Sequence, residues 1–349
     1  MQIATGPGSA CKKIKALGFS HHHLPLSRSG VNPGTELYSL WTLWRLMRQL
    51  KPDLVHLVTI KPVLYGGLIA RIAGVPAVVA AISGLGSVFI TRRGMVSWLR
   101  HGVEALYRLA LGHPHLKAIF QNPNDQALLI RLSAVRGKQT VLIRGSGVAL
   151  ADYPVKSEPI GIPVVTFASR LLKEKGVLEF VEAARLLKDR GVTSRFWLVG
   201  APDPGNPSSI CDKEIEHWQK SEFIEPLGYR TDIAEIFANS NLVVLPSSYR
   251  EGLPKVLIEA AATGRAVITT DQPGCRDAIE PNMTGLLVPT KDAVALADAI
   301  EHLLKNPDLR QSMGNAGRKL AEREFGIEKV VAAHLKVYRE LLEECQSHR

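Results

Sequence analysis

Cysteine is scarce in this chain of 349 residues, and its four cysteines (Cys11, Cys211, Cys275, Cys345) form no CxxC or Cys/His spacing, so neither a disulfide framework nor a zinc site has support. A reducing compartment is the simplest setting. No charged n-region followed by an apolar h-region opens the chain, so no signal peptide is expected. Long uninterrupted apolar runs are also missing. Residues 72–91 lack charge and approach the ~20 residues of a membrane span. Gly74, Pro76, Ser83, Gly84, Gly86 and Ser87 punctuate them, which suits a buried strand followed by a loop. Acidic residues are rare in the first half: residues 1–150 hold 18 Lys and Arg against 4 Asp and Glu, a net of +14, whereas the remainder carries 25 against 29. The first half is therefore built to meet an anion, with nucleic acid, lipid headgroups and diphosphates as candidates. A generally basic soluble domain is the plainer alternative.

What is present is globular. Apolar residues make up 46% and charged ones 22%, and the length suits two domains. Strand and helix patterns alternate: "PDLVHLVT" (52–59), "PAVVAAI" and "LKAIFQN" (116–122) read as strands, with a helix ending at Gly74 and another whose apolar face runs Val96, Leu99, Val103, Leu106, Leu109. The Gly-, Pro- and Ser-rich stretch 141–162 breaks this pattern, and a second series follows from "PVVTFAS" to the helix 292–304. The fold class is thus α/β, with two doubly wound, Rossmann-like domains facing a cleft: residues 1–155 and 156–328, the helix 329–349 packing on the first. The opening "MQIATGP" reads as a strand entering a turn with no strand and helix before it, so its sheet is expected to lack a partner. His21, His22 and His23 read as a solvated turn, since consecutive side chains on a strand point to opposite faces.

Chemistry concentrates in "PSSYREGLPKVLIEAAATG" (246–264), which places Glu251 and Glu259 eight positions apart after an apolar strand. Pro254 fits the helix start, and Gly252 admits close backbone approach. Glu259 leans back along the helix, so both carboxylates can reach one ligand rich in hydroxyls. Alternatively, Glu259 satisfies a neighbouring Arg and Glu251 caps the helix. At another strand end of this domain, "FASRLLKEKG" offers Arg170 and Lys175, a planar fork and a point charge suited to a diphosphate. Asp125 in "NPND" and Gly145 to Gly147 read as shaping turns near the cleft, and Lys61 in "TIKP", at a strand end of the basic domain, as a phosphate contact.

"SRLLKEKG", "EGLPKVLIE" and "GRAVITTDQPGCRDAIEPNMTGLLVP" together resemble the retaining GT-B glycosyltransferases of family 4, whose signature is two glutamates eight apart; "IFQNPNDQ" and "RGSGV" extend the resemblance over nearly the whole chain. Its nearest likeness is to bacterial enzymes that add a sugar to a polyprenyl-diphosphate-linked saccharide. The resemblance implies a hexosyl or N-acetylhexosaminyl transfer from a UDP-sugar, with Arg170 and Lys175 on the donor diphosphate, Glu259 on the ribose and Glu251 at the transferred sugar. The amides at Gly252 and Leu253, beside Pro254, lie near that sugar, and the backbone of Tyr229 and Arg230 meets the nucleobase. Ser83 stands where many relatives carry a His, and Gly84 and Gly86 share that acceptor-side loop. The first strand–loop–helix unit of the family is not recognisable here. No DxD triplet occurs, in keeping with a transferase without a metal or other cofactor. The basic first domain, including Lys12, Lys13, Lys15, Arg92, Arg93 and Arg100, and the Trp-bearing stretch 39–50 imply a peripheral place at the inner face of the cytoplasmic membrane. A nucleotide-sugar epimerase of the same architecture is the rival reading; a basic nucleic-acid-binding protein ranks below it, because no module pattern supports it.

Overall fold

The computed structural model describes residues 1–8, 10–26, 32–85 and 97–347. Gly86, Arg92 and Arg93 lie outside the described residues. The first domain runs β1 (Gln2–Thr5), α1 (Ala10–Ala16), β2 (Ser20–His23), α2 (Pro33–Leu50), β3 (Leu54–Val58), α3 (Ile60–Ala73), β4 (Ala77–Ile82), α4 (Ser97–Ala110), β5 (Leu116–Phe120), α5 (Pro123–Arg131) and β6 (Thr140–Leu142). Strands β3, β4, β5 and β6 pair in that order, all parallel. Parallel strands between helix layers must be apolar on both faces, and Ala77, Val78, Val79 and Ala80 are fully buried in β4. Residues 77–82 of the apparent membrane-span stretch are thus an inner strand of a sheet, and no helix among the described residues is long and apolar enough to cross a membrane.

Two sequence expectations are corrected. The His-rich segment is not a turn: His21 and His22 sit in β2, which pairs with β1 in a separate two-stranded parallel sheet, and their Nε2 atoms lie 2.8 and 2.5 Å from Thr5 Oγ1 and Gln2 Oε1. Polar residues that satisfy one another across a strand pair escape a hydrophobic-pattern reading. Helix α4 packs the expected Val103 and Leu106 against the core but turns the expected Leu109 outward. Tyr107 and Ala110 are buried at 1% and 0%, while Leu109 is 53% exposed.

The second domain comprises β7 (Val164–Ala168), α6 (Val177–Asp189), β8 (Arg195–Val199), α7 (Asp212–Lys220), β9 (Glu225–Gly228), α8 (Ile233–Ala238), β10 (Leu242–Leu245), α9 (Lys255–Ala262), β11 (Ala266–Thr270), β12 (Gly285–Val288), α10 (Ala293–Lys305) and α11 (Pro307–Leu320). Its six parallel strands run β12-β11-β10-β7-β8-β9, so β7 and β10 are central and adjacent. A crevice opens beyond the carboxyl ends of such strands. The chain crosses between domains twice, at Val148 and at Gly326, and the two crossings touch: Val148 donates to Phe325 O at 2.8 Å, and Ile327 donates to Val148 O at 2.9 Å. Helix α12 (Ile327–Gln346) then lies on the first sheet, burying Val337, Leu341 and Cys345 against Ala77, Val79 and Ile119.

Candidate active site

Four strand ends meet at the interdomain cleft. From the first domain come Ser83, after β4, and Gln121, after β5; from the second come Ser169, after β7, and residues 251–256, which lead from the loop after β10 into α9. These residues, with Lys175 and Ser146, line a cavity of about 380 Å³. Gly84 and Gly252 make the approach possible. Gly84 has φ +104, and a Cβ there would stand 2.6 Å from the Gly252 nitrogen; a Cβ on Gly252 would stand 2.2 Å from Gln121 Oε1. The openness at Gly252 that the sequence suggested for a ligand is taken up by the other domain.

Glu251 faces the cavity and does not cap α9, whose N-cap is Pro254 with no side-chain hydrogen bond. Its Oε1 accepts from Lys175 Nζ, and the Ser247 hydroxyl lies 3.0 Å away. Both partners are largely buried, with 15% of the Lys175 side chain and 11% of the Glu251 side chain exposed. An ion pair this shielded is a strong interaction in place, but each charge costs desolvation that a better-matched ligand can recover. Lys175 Nζ also sits 5.7 Å from the Tyr249 ring centroid. Cys275 packs below, its thiol pushed up to about 12 by burial and by the Glu251 charge, which keeps it protonated and unreactive.

Glu259 is buried within α9, and its partners are not an arginine. Tyr153, from the linker between domains, donates its hydroxyl to Oε1 at 2.7 Å, and Lys255 lies 3.2 Å from the same oxygen. Burial and the adjacent carboxylate push the Tyr153 phenol well above its usual range, so it remains a donor. A second cavity of about 410 Å³, lined by Ser146, Gly147, Asp152, Tyr153, Lys255 and Ile327, adjoins this pair. Lys255 and Ser146 line both cavities, so the two adjoin: Glu251 lines the first, and Glu259 is bound to Tyr153 and Lys255 of the second.

The remaining sequence candidates scatter. Arg170 sits at the turn after β7 but pairs with Asp203 at 2.8 Å, with 56% of its side chain exposed. Tyr229 and Arg230 follow edge strand β9 and do not line the cavity around Glu251; Tyr229 is 76% exposed, and Arg230 pairs with Asp232. Lys61, in the first turn of α3, pairs with Glu36 of α2 at 2.7 Å, away from the cavity. The Leu253 amide donates to Gln121 Oε1 at 3.1 Å and is therefore engaged across the cleft.

Sequence reasoning missed the residues of the first domain that grip the "REGLP" loop. Asn122 Nδ2 lies 3.1 and 3.0 Å from the carbonyls of Glu251 and Gly252, and Arg250 donates to Asp125 Oδ1 at 3.0 Å. Asn122 and Asp125 are both fully buried. Burial raises the Asp125 carboxyl, against the lowering effect of Asn122, Arg250 and a backbone hydrogen bond from Leu85. The available signal was a polar cluster, "QNPND", directly after a buried strand.

Comparison with known proteins fits this geometry. Residues 154–320 match the family described as glycosyl transferases group 1, and residues 1–116 match glycosyl transferase 4-like. The chain is 31% identical, over 94% of its length and 87% of the relative's, to N,N'-diacetylbacillosaminyl-diphospho-undecaprenol alpha-1,3-N-acetylgalactosaminyltransferase of Campylobacter jejuni. It is 25% identical, over 82% of its length and 75% of the relative's, to UDP-Gal:alpha-D-GlcNAc-diphosphoundecaprenol alpha-1,3-galactosyltransferase of Escherichia coli. Among solved structures, Anabaena HepE in complex with UDP superposes with TM-score 0.76 at 17% identity, covering 97% of this chain and all of that one. Sucrose-phosphate synthase of Thermosynechococcus elongatus gives 0.76 at 22%, over 93% and 84%. Both likenesses establish the shared two-domain fold.

Proposed function

The chain belongs to the group 1 glycosyltransferases, and on that premise we propose that it moves a hexosyl or N-acetylhexosaminyl unit, with retention, from a UDP-sugar to a polyprenyl-diphosphate-linked saccharide. The observation that carries this reading is the cleft itself: Lys175 and Glu251 meet there beyond the ends of adjacent central strands, with Glu259 in α9, the helix that follows the Glu251 loop. An arriving donor diphosphate would take Lys175 away from Glu251 and draw Arg170 from Asp203, leaving the Glu251 carboxylate to accept from hydroxyls of the transferred sugar. Glu259, already held by Tyr153, would accept from the ribose. In the transfer the bond from the anomeric carbon to the diphosphate oxygen breaks, and a bond to an acceptor hydroxyl oxygen forms on the same face. The acceptor proton passes to the leaving diphosphate, whose growing charge is met by cations already in place. No titrating protein base and no metal or other cofactor is assigned a step.

A lipid-linked acceptor requires a surface that meets the membrane. On α2, Leu37, Tyr38, Trp41 and Trp44 are 67%, 56%, 49% and 38% exposed, while Ser39, Leu43 and Met47 face the core. Arg45 lies over the Trp41 ring at 5.6 Å. Aromatic side chains with flanking cations suit the headgroup level of a bilayer, where each Lys or Arg near an anionic surface contributes about 1 kcal/mol. We place the enzyme at the inner face of the cytoplasmic membrane, with α2 against anionic lipid.

The test is direct. A membrane pool of lipid-linked acceptors is incubated with separate radiolabelled UDP-sugars, with Glu251→Ala as control. Label should enter the lipid fraction from at least one donor and be lost in the variant; no transfer from any donor would end the proposal, and full activity in the variant would remove Glu251 from the site.

A further inference from the structure

The loop that carries Glu251 is held from the opposite domain by three side chains of one strand-to-helix turn. Asn122 is the N-cap of α5: its Oδ1 accepts from the Asp125 amide at 2.8 Å, which leaves its Nδ2 aimed out of the helix. That amide group meets Asp125 Oδ2 at 3.0 Å and both carbonyls, of Glu251 and Gly252. Gln121 Oε1 takes the next amide, Leu253 N–H, at 3.1 Å. Asp125 takes the side chain on the other flank, Arg250, at 3.0 Å. Four consecutive residues, 250 to 253, thus have a partner on the first domain through side chain, carbonyl, carbonyl and amide. These contacts engage the loop's backbone and the Arg250 side chain, while Lys175 and Ser247 hold the Glu251 carboxylate.

Several of these groups are polar and buried, which is costly unless each is satisfied. Asn122 caps α5 and meets Asp125 within its own domain, but its Nδ2 reaches the Glu251 and Gly252 carbonyls, and Asp125 reaches Arg250, only when the domains are together. Packing of the two glycines sets the same condition, because Gly84 and Gly252 touch backbone to backbone at the same seam.

We propose that Gln121, Asn122 and Asp125 are positioning residues for transfer: they orient the 250–253 loop so that Glu251 faces the donor sugar only while the cleft is closed. This rests on the reading of Glu251 given above. Donor binding through Lys175 and Glu259 uses the second domain by itself, whereas transfer also needs the grip from the first. Loss of the grip should therefore lower turnover while leaving nucleotide affinity in place. A misplacement of about 1 Å at a reacting centre costs roughly 100-fold in rate.

The experiment uses the full chain and two variants, Asn122→Ala and Gln121→Ala. UDP affinity is measured by calorimetry, turnover by sugar transfer, and the state of the loop by hydrogen exchange of the peptide covering 246–256. For Asn122→Ala we expect a fall in kcat of about 10- to 100-fold, UDP binding within about threefold of the parent, and faster exchange at 250–253. Gln121→Ala should move all three the same way by less, and it carries the test alone if the Asn122 variant does not fold. Parental kcat in both variants, or a loss of UDP affinity equal to the loss of kcat, overturns the proposal. If the parent transfers no sugar at all, the proposed function fails, and the grip is then judged by exchange: unchanged protection at 250–253 in both variants overturns it.

Discussion

Replacing Glu259 by Gln removes a charge from a buried carboxylate while keeping its shape, and the structure sets what that should cost. Glu259 Oε1 is held by Tyr153 at 2.7 Å and approached by Lys255 at 3.2 Å, so the carboxylate is oriented before any ligand arrives. If it accepts from both ribose hydroxyls, two charge-assisted hydrogen bonds, each about 1.5–3 kcal/mol, depend on it. The amide retains one acceptor oxygen, so about half should survive, giving a net loss of about 1.5–3 kcal/mol, or roughly 10- to 100-fold in UDP affinity. Calorimetric titration of UDP and of 2′-deoxy-UDP checks this as a cycle. The parent should discriminate against the deoxy compound, and the variant should bind UDP far more weakly and discriminate little, because the partner of the missing hydroxyl is already impaired. Tyr153→Phe should give a smaller loss in the same direction, since the carboxylate keeps its charge but loses its orienting donor. A Glu259→Gln chain that binds UDP within threefold of the parent and still discriminates would refute the assignment of Glu259 to the ribose.

Other perturbations follow from the same structure. His56, half-buried on β3 beside His334 and with Tyr338 Oη 2.7 Å from its Nδ1, is lowered from 6.5 to about 4 by desolvation first and by the His334 charge second. The unfolded chain therefore binds the proton first as pH falls, so about 3 kcal/mol of stability present above pH 6.5 should be lost between pH 6.5 and 4. His113, lowered by burial, acts in the same sense, and His56→Leu should therefore reduce the slope of urea midpoint against pH without abolishing it; an unchanged slope would count against the assignment. Trp41→Ala with Trp44→Ala should weaken co-sedimentation with vesicles containing anionic lipid while sparing UDP binding; equal sedimentation would remove α2 from the membrane face. Gly84→Ala forces a side chain into positive φ against the Gly252 backbone, and should cost roughly 1–3 kcal/mol in urea unfolding together with most transfer activity; native stability and activity would contradict the close interdomain seam.

Much of this architecture was legible in the chain because its signals are local. Parallel strands buried on both faces leave short apolar runs, helices leave a 3.6-residue repeat, and Gly74 in the left-handed region ends α3 where the sequence placed a stop. Every strand expected in the second domain is present, from β7 to β12. Failures occurred where local pattern and tertiary role part company: the histidines of β2 are satisfied by β1, and α4 buries Tyr107 while exposing Leu109 because its neighbours, α3 among them, decide which face is covered.

The same division runs through the site. The amino-acid sequence alone determined the two-domain α/β organisation, the cleft at the strand ends and the pair Glu251 and Glu259, since each depends on residues close together along the chain. Tertiary structure decided the partners: Lys175 with Glu251 across 76 positions, Tyr153 with Glu259 across 106, and Asp125 with Arg250 across 125. It also turned Arg170 toward Asp203 and gave the Leu253 amide to Gln121. Charge and hydrogen-bonding capacity are properties of a residue, but which opposite charge comes within reach is set by how sheets stack and domains close, and no spacing along the chain encodes that distance.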